Sequence, residues 1–130
     1  MNYAEFVDAV ARRAQVPSGE AATVTRATLE TLTDRVTAGQ ARGIALQLPK
    51  ELREHLHKTT TATAAQIAES FGLEEFVERV SARAGVDRAM ADTGARAVLT
   101  TVGETVSDDE LDGMVSQLPK EFWEIVRPGA

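Results

Sequence analysis

The chain contains no cysteine, which removes disulfides, thiolate nucleophiles and cysteine-based zinc sites together. Histidine is nearly absent, with His55 and His57 alone, and aromatic residues make up only 5%. No apolar run approaches the ~20 residues that a membrane-spanning helix needs. The opening residues, Met1-Asn2-Tyr3-Ala4-Glu5-Phe6-Val7-Asp8, lack both the basic and the apolar regions of a signal peptide. These absences set the expectation of a cytoplasmic protein with no membrane association. Positive charge forms no block either. The net charge is −6, and the electrostatic footprint of a nucleic-acid binder is missing. The imbalance is local: residues 1–58 carry eight basic against seven acidic side chains, and residues 59–130 carry six against thirteen. The second part would be repelled by phosphate and by anionic membrane surfaces.

With 130 residues the chain can bury a core without covalent staples. Ala, Val, Leu, Thr, Glu and Arg dominate, a mixture that favours helices packed through small side chains. Asn2 with Glu5 forms a capping-box pattern, opening a helix with Tyr3, Phe6, Val7, Val10 and Ala14 on one stripe. Val16-Pro17-Ser18-Gly19 ends it, and Ser18 is the expected cap of a second helix reaching about Val36. Ala22, Thr25, Leu29, Leu32 and Val36 mark the inner side of that helix. Thr37 with Gln40 reads as another capping box, before Ala41, Ile44, Ala45 and Leu48 at helical spacing. Pro49 stops this third helix and suits the first position of a fourth. Leu48 would then be the N-cap, Glu51 would sit at the third position, and Leu52, His55 and Leu56 would face inward.

The pentapeptide Gln47-Leu48-Pro49-Lys50-Glu51 returns as Gln117-Leu118-Pro119-Lys120-Glu121, seventy positions on. Aligned on it, Phe6-Val7-Asp8-Ala9-Val10 falls on Phe76-Val77-Glu78-Arg79-Val80, Arg26-Ala27 on Arg96-Ala97, and Gly43 on Gly113. Roughly twenty of about fifty aligned positions are identical, far beyond what shared helix composition gives. Asp87, opposite Pro17, is a second expected cap, and Ser107 with Glu110 a second clear capping box. The expected fold is therefore all-α: a tandem duplication of a small four-helix unit, with two halves packed into one helical bundle. The boundaries are a first repeat over 1–58, a linker over 59–71, and a second repeat over 72–130. The linker is Thr-rich from Thr59 to Thr63, with a brief turn through Ile67, Ala68 and Phe71. Pro128-Gly129 closes the chain with helix breakers.

The segments Arg26-Ala27-Thr28-Leu29-Glu30-Thr31-Leu32, Gly43-Ile44-Ala45-Leu46-Gln47-Leu48-Pro49-Lys50-Glu51-Leu52 and Phe76-Val77-Glu78-Arg79-Val80 together resemble the bacterial domain of unknown function family 2267. The likeness spans nearly the whole chain. It implies a duplicated helical domain, in some proteins joined to regulatory domains, and it brings no activity and no catalytic residues.

Candidate sites are few. Asp108, Glu110, Asp112 and Gly113 imitate the start of a calcium-binding loop, but the twelfth position, which should be a bidentate carboxylate, is Pro119. These acids read better as charge at a helix N-terminus, and the glycine as a packing residue. His55 and His57 diverge by roughly 200° on a helix and cannot chelate one ion together. The repeated polar residues Arg13/Arg83, Arg26/Arg96, Gln47/Gln117, Lys50/Lys120, Glu51/Glu121 and Glu54/Glu124 belong to the unit itself. Their structural reading is preferred: arginines on carboxylates or helix carbonyls, and Gln47 on backbone groups freed by Pro49. Trp123 aligns with Arg53, an outward-type residue. It either covers the seam between halves, the preferred reading, or anchors a partner.

No catalytic constellation can be assembled, and no cofactor or metal is expected. The functional expectation is a non-enzymatic protein-interaction or regulatory module, with an unknown protein partner or a homodimer. Trp123, Arg26 and Arg96 are its candidate surface, and Gln47, Leu48, Pro49, Gln117, Leu118 and Pro119 its structural signature. The alternative is a small-molecule or lipid-binding bundle with a pocket between the repeats.

Overall fold

Asn2 caps the first helix as its sequence implies. Its side chain accepts from the Glu5 N–H at 2.8 Å, and Glu5 Oε1 accepts from the Asn2 N–H at 2.9 Å. The computed structural model of the chain describes residues 1–56 and 71–127. Among these residues every regular element is helical. In the N-terminal half they are α1 (Tyr3–Ala14), α2 (Ser18–Arg35), α3 (Ala38–Gln47) and a 3-10 helix (Lys50–Leu56). In the C-terminal half they are α4 (Leu73–Ala84), α5 (Arg88–Thr105), α6 (Asp108–Ser116) and α7 (Lys120–Val126). Most of the expected linker, the position of His57 and the breakers Pro128-Gly129 lie outside the described residues. No described helix is long and apolar enough to cross a membrane.

The two halves share one core. The long helices α2 and α5 touch each other, α1 packs on α5, and α4 packs on α2. The 3-10 helix lies on α2 as α7 lies on α5, and α3 meets α6. Phe6, Leu29, Leu32 and Ile44 from one half and Phe76, Leu99, Met114 and Phe122 from the other are fully enclosed in a single apolar cluster. The Phe76 and Phe122 rings meet edge to face with centroids 5.3 Å apart.

Of the apolar stripes foreseen for α1 and α3, Phe6, Val7, Val10 and Ala14, then Ala41, Ile44, Ala45 and Leu48 are buried, while Tyr3 is half-buried against the core. The stripe foreseen for α2 is too narrow. Of that stripe Ala22 is only half-buried, and Ala21, Val24, Ala27, Thr28 and Thr31 are buried besides Thr25, Leu29, Leu32 and Val36, because α1, α4 and α5 surround the helix. Thr25 and Thr31 are tolerated there because their hydroxyls return to the helix, Thr25 donating to the Ala21 carbonyl at 2.7 Å and Thr31 to Ala27 at 2.8 Å, whereas the Thr28 hydroxyl finds no partner among the described residues.

Several local expectations need correction. Ser18 is not a cap: Pro17 occupies the N-cap without a side-chain bond, and Ser18 is the first helical residue. Proline fixes φ at −63° there, so the entry is set by the ring and not by a hydroxyl. Pro49 and Pro119 do not open their helices at the first position. Pro119 is itself the N-cap of α7, and Leu48 is the C-cap of α3. Glu51 and Glu121 therefore stand one place earlier than the third. The fourth element of the N-terminal half is a 3-10 helix, tightened from the Leu52 N–H to the Pro49 carbonyl at 2.9 Å. Asp87 caps α5 as expected, accepting from the Met90 N–H at 2.8 Å.

Candidate functional site

Two pairs of polar residues seventy positions apart behave alike, and their partners lie in the opposite half. Arg13 on α1 reaches across to α5, donating to Thr101 Oγ1 at 2.7 Å and pairing with Glu104. Arg83 on α4 does the same to α2, with Thr31 Oγ1 at 2.9 Å and Asp34 Oδ2 at 2.8 Å. Thr31 and Thr101 each pass their own proton to a helix carbonyl, so each hydroxyl oxygen is free to accept the guanidinium. Arg79 adds a further bond to Asp34 at 3.1 Å and lies over the Phe71 ring, 3.9 Å from its centroid. Arg35 donates to the Phe71 carbonyl at 2.8 Å, and burial lowers its pKa from the usual guanidinium value.

The glutamines of the repeated pentapeptide form a second reciprocal pair. Thr37 and Ser107 are the N-caps of α3 and α6, and each accepts from the N–H three residues on. The other arm of the expected capping boxes is not made by Gln40 or Glu110. Gln117 Oε1 instead accepts the Thr37 N–H at 2.8 Å, and Gln47 Oε1 accepts the Ser107 N–H. Each glutamine thus completes the cap of the helix in the opposite half. Gln47 is expected to serve backbone groups freed by Pro49; its side-chain oxygen instead accepts the Ser107 N–H of the other half. Gln40 and Glu110 are released to meet each other: Gln40 Nε2 donates to the Glu110 carboxylate, and Gln40 Oε1 accepts from Gln117 Nε2 at 3.2 Å.

The shared glycines follow from this closeness. A Cβ on Gly43 would strike the Glu110 carboxylate, and one on Gly113 would lie 2.7 Å from Gln40 Oε1. In the crossing of α2 and α5, Gly94 receives Val24, whose aligned partner it is. A Cβ there would meet Val24 Cγ2 at 2.5 Å. Sequence reasoning caught the glycines at 43 and 113 as packing residues but missed Gly94, where the two halves differ.

Trp123 is anchored by its indole nitrogen within the C-terminal half. The N–H donates to the Val115 and Leu118 carbonyls at 3.0 and 3.1 Å. Arg53 does the same work in the N-terminal half, donating to the Ala45 carbonyl at 3.2 Å. Both side chains donate to carbonyls where a helix ends before proline, and the Ala45 and Val115 carbonyls also accept the N–H of Leu48 and Leu118. The difference is what they present outward, since Trp123 remains 44% exposed. With Val115, Lys120, Glu124 and Arg127 it lines a groove of about 420 Å³.

Arg26 and Arg96 diverge in their surroundings. Arg26 pairs with Glu30 and donates to the Arg83 carbonyl at 3.1 Å, holding the end of α4, whereas Arg96 pairs with Asp92 on its own helix. No described hydrogen bond or ion pair brings either to Trp123. Leu48 and Leu118 are both buried. Glu121 accepts the Leu73 N–H at 3.2 Å, supplying α4 with the cap that Gly72 cannot. His55 lies half-buried near Glu30 and Glu54. Of the acids imitating a calcium loop, all lie in helix α6, where Glu110 faces Gln40 and Asp112 pairs with Arg127. No group of three or more His, Asp or Glu side chains suited to a metal occurs among the described residues.

Comparison with curated proteins finds no match. A family model covers residues 3–125, nearly the whole chain, and its description is "Uncharacterized conserved protein (DUF2267)". The all-helical bundle and the pentapeptide-bearing segments fall within that match, and the chain belongs to the DUF2267 family.

Proposed function

We propose that this protein is a non-enzymatic interaction module, a tandem duplication of a four-helix unit whose partner is a protein docking on the Trp123 surface. The observation that carries the reading is the state of Trp123. Its indole is fixed by two carbonyls, so its exposed face is held in place and binding need not order it. A rigid aromatic beside a groove, with Lys120, Glu124 and Arg127 around it, has the composition of an interface anchor with a polar rim. The duplication is supported by the element order, by the seventy-residue offset of the boundaries from Tyr3/Leu73 to Leu56/Val126, and by the matching cross-half bonds.

The repeated polar residues support a structural over a chemical role. Arg13, Arg83, Gln47 and Gln117 are engaged in holding one half to the other. The two halves would have diverged in role at one place above all, where Arg53 became the counterpart of an exposed tryptophan.

The test uses Trp123→Arg, because arginine at the aligned position already satisfies the same kind of carbonyl. The variant should unfold at a midpoint close to that of the parent. Affinity-tagged parent and variant, offered cell extract from the native host, should then differ in one retained protein. That protein should bind the purified parent with a shift in Trp123 emission. A variant that retains the same proteins as the parent, with the same affinity, would refute the assignment.

A further inference from the structure

The reciprocal bonds mean that each half carries both the donor and the acceptor of the cross-half contacts. The N-terminal half supplies Arg13 and Gln47 as reaching groups, and Thr31, Asp34 and the Thr37 N–H as receiving groups. The C-terminal half supplies the same set seventy positions on. Such a surface is the kind that builds a twofold dimer from two chains. Here both parts belong to one chain, joined through the fourteen residues between Leu56 and Phe71.

At two places where aligned residues meet each other across the halves the equivalence is broken, and both favour unlike halves. Val24 fits against Gly94, where a second valine would place its Cβ at 2.5 Å from Val24 Cγ2. Gln40 donates to Glu110, whereas two copies of Glu110 would set carboxylate against carboxylate. An N-terminal half is therefore matched to a C-terminal half and discriminated against its own kind. Nothing in these contacts requires that the matching half come from the same chain.

We propose that the partner surface between the halves is also a surface for a second copy of this chain, giving a closed dimer in which N-terminal and C-terminal halves are exchanged. This stands independently of the Trp123 surface. Every native cross-half contact is made twice in such a dimer. The unmodified chain pairs within itself at low concentration, because a short connection holds the two halves at an effective concentration on the order of mM. Exchange becomes dominant when the halves of one chain no longer fit each other but fit those of another.

The experiment makes that condition. One full-length variant carries Gly94→Val, setting valine against valine; the other carries Val24→Gly, setting glycine against glycine. Refolded alone, each unfolds at a lower urea midpoint than the parent or does not fold. Refolded together, the exchanged heterodimer has one native Val24–Gly94 contact and one with the two residues inverted. Native mass spectrometry should find a species of twice the 14.0 kDa chain mass. It should contain one of each variant, in about tenfold or greater excess over either homodimer, and its urea midpoint should approach that of the parent. Rescue by mixing keeps the test decisive even where neither variant folds alone. A mixture that yields only monomers or homodimers, with each variant's own midpoint or no folded species, would overturn the proposal.

Discussion

Val24 and Gly94 allow the fit between the two halves to be measured as a coupling energy. Val24 is fully buried, so Val24→Ala removes two methyl groups from the core at ~0.8 kcal/mol each. With the cavity term the loss is about 2 kcal/mol. Gly94→Ala gains about 1 kcal/mol of helix propensity. It also sets a Cβ 2.5 Å from Val24 Cγ2 and 3.0 Å from Cγ1, which the packed crossing must absorb by moving. Overpacking of this kind costs ~1–3 kcal/mol, so the single variant should lose about 1 kcal/mol net. In the double variant the two γ carbons are gone, the new Cβ fills part of their space and the propensity gain is kept. The net loss should fall to about 0–1 kcal/mol, against about 3 kcal/mol for simple addition, a coupling near 2 kcal/mol. Urea unfolding of the four proteins, followed by circular dichroism, gives the cycle. Additive energies, to within ~0.3–0.5 kcal/mol, would show that the residues do not meet as described.

Other substitutions probe the remaining features. Thr28 is fully buried and its hydroxyl is a buried polar group without a partner among the described residues, while its aligned residue is Val98; Thr28→Val should raise stability by about 1 kcal/mol, read as a higher urea midpoint. Gln15 ends α1 with φ at 59°, the left-handed conformation that Gly85 adopts at the end of α4. Gln15→Gly should therefore stabilise by about 0.5 kcal/mol, the relief of strain exceeding the entropy lost, and thermal unfolding would show it. Gln117→Ala should cost about 1 kcal/mol and Gln47→Ala somewhat less, since Gln117 also holds Gln40. A loss of amide protection at Thr37 in the first variant and at Ser107 in the second, by hydrogen exchange, would locate the effect.

How much of this was legible in the sequence depends on how far apart the interacting groups lie. Capping by Asn2 and Asp87 involves residues three apart, and spacing alone reveals it. The stripes of α1 and α3 follow because each of these helices has one side to bury. The breadth of α2 was hidden: its enclosure depends on α4 and α5, and buried threonines read as polar until their hydroxyls are seen to bond the preceding turn. The repeat identified Gln47 and Gln117 as residues of the unit but could not say to which backbone they bond. Local spacing pointed to Gln40 and Glu110, and the tertiary arrangement substituted the glutamines of the opposite half. Trp123 was legible as an anomaly beside Arg53. Its bonds to the Val115 and Leu118 carbonyls depend on how α6 ends. Gly94 escaped because the difference between aligned residues matters there, not their identity.

The central claim is that the halves make one interlocked core. Trp123, the only tryptophan, reports on the C-terminal half, whereas Asp34 belongs to the N-terminal half and holds Arg79 and Arg83 across the interface. The most direct measurement is urea unfolding of the parent chain and of Asp34→Ala, each followed by Trp123 fluorescence and by far-ultraviolet circular dichroism. One interlocked core predicts a single transition with coincident midpoints by both probes, and an equal downward shift of both in Asp34→Ala. A Trp123 transition with its own midpoint, unmoved by the loss of Asp34, would contradict it.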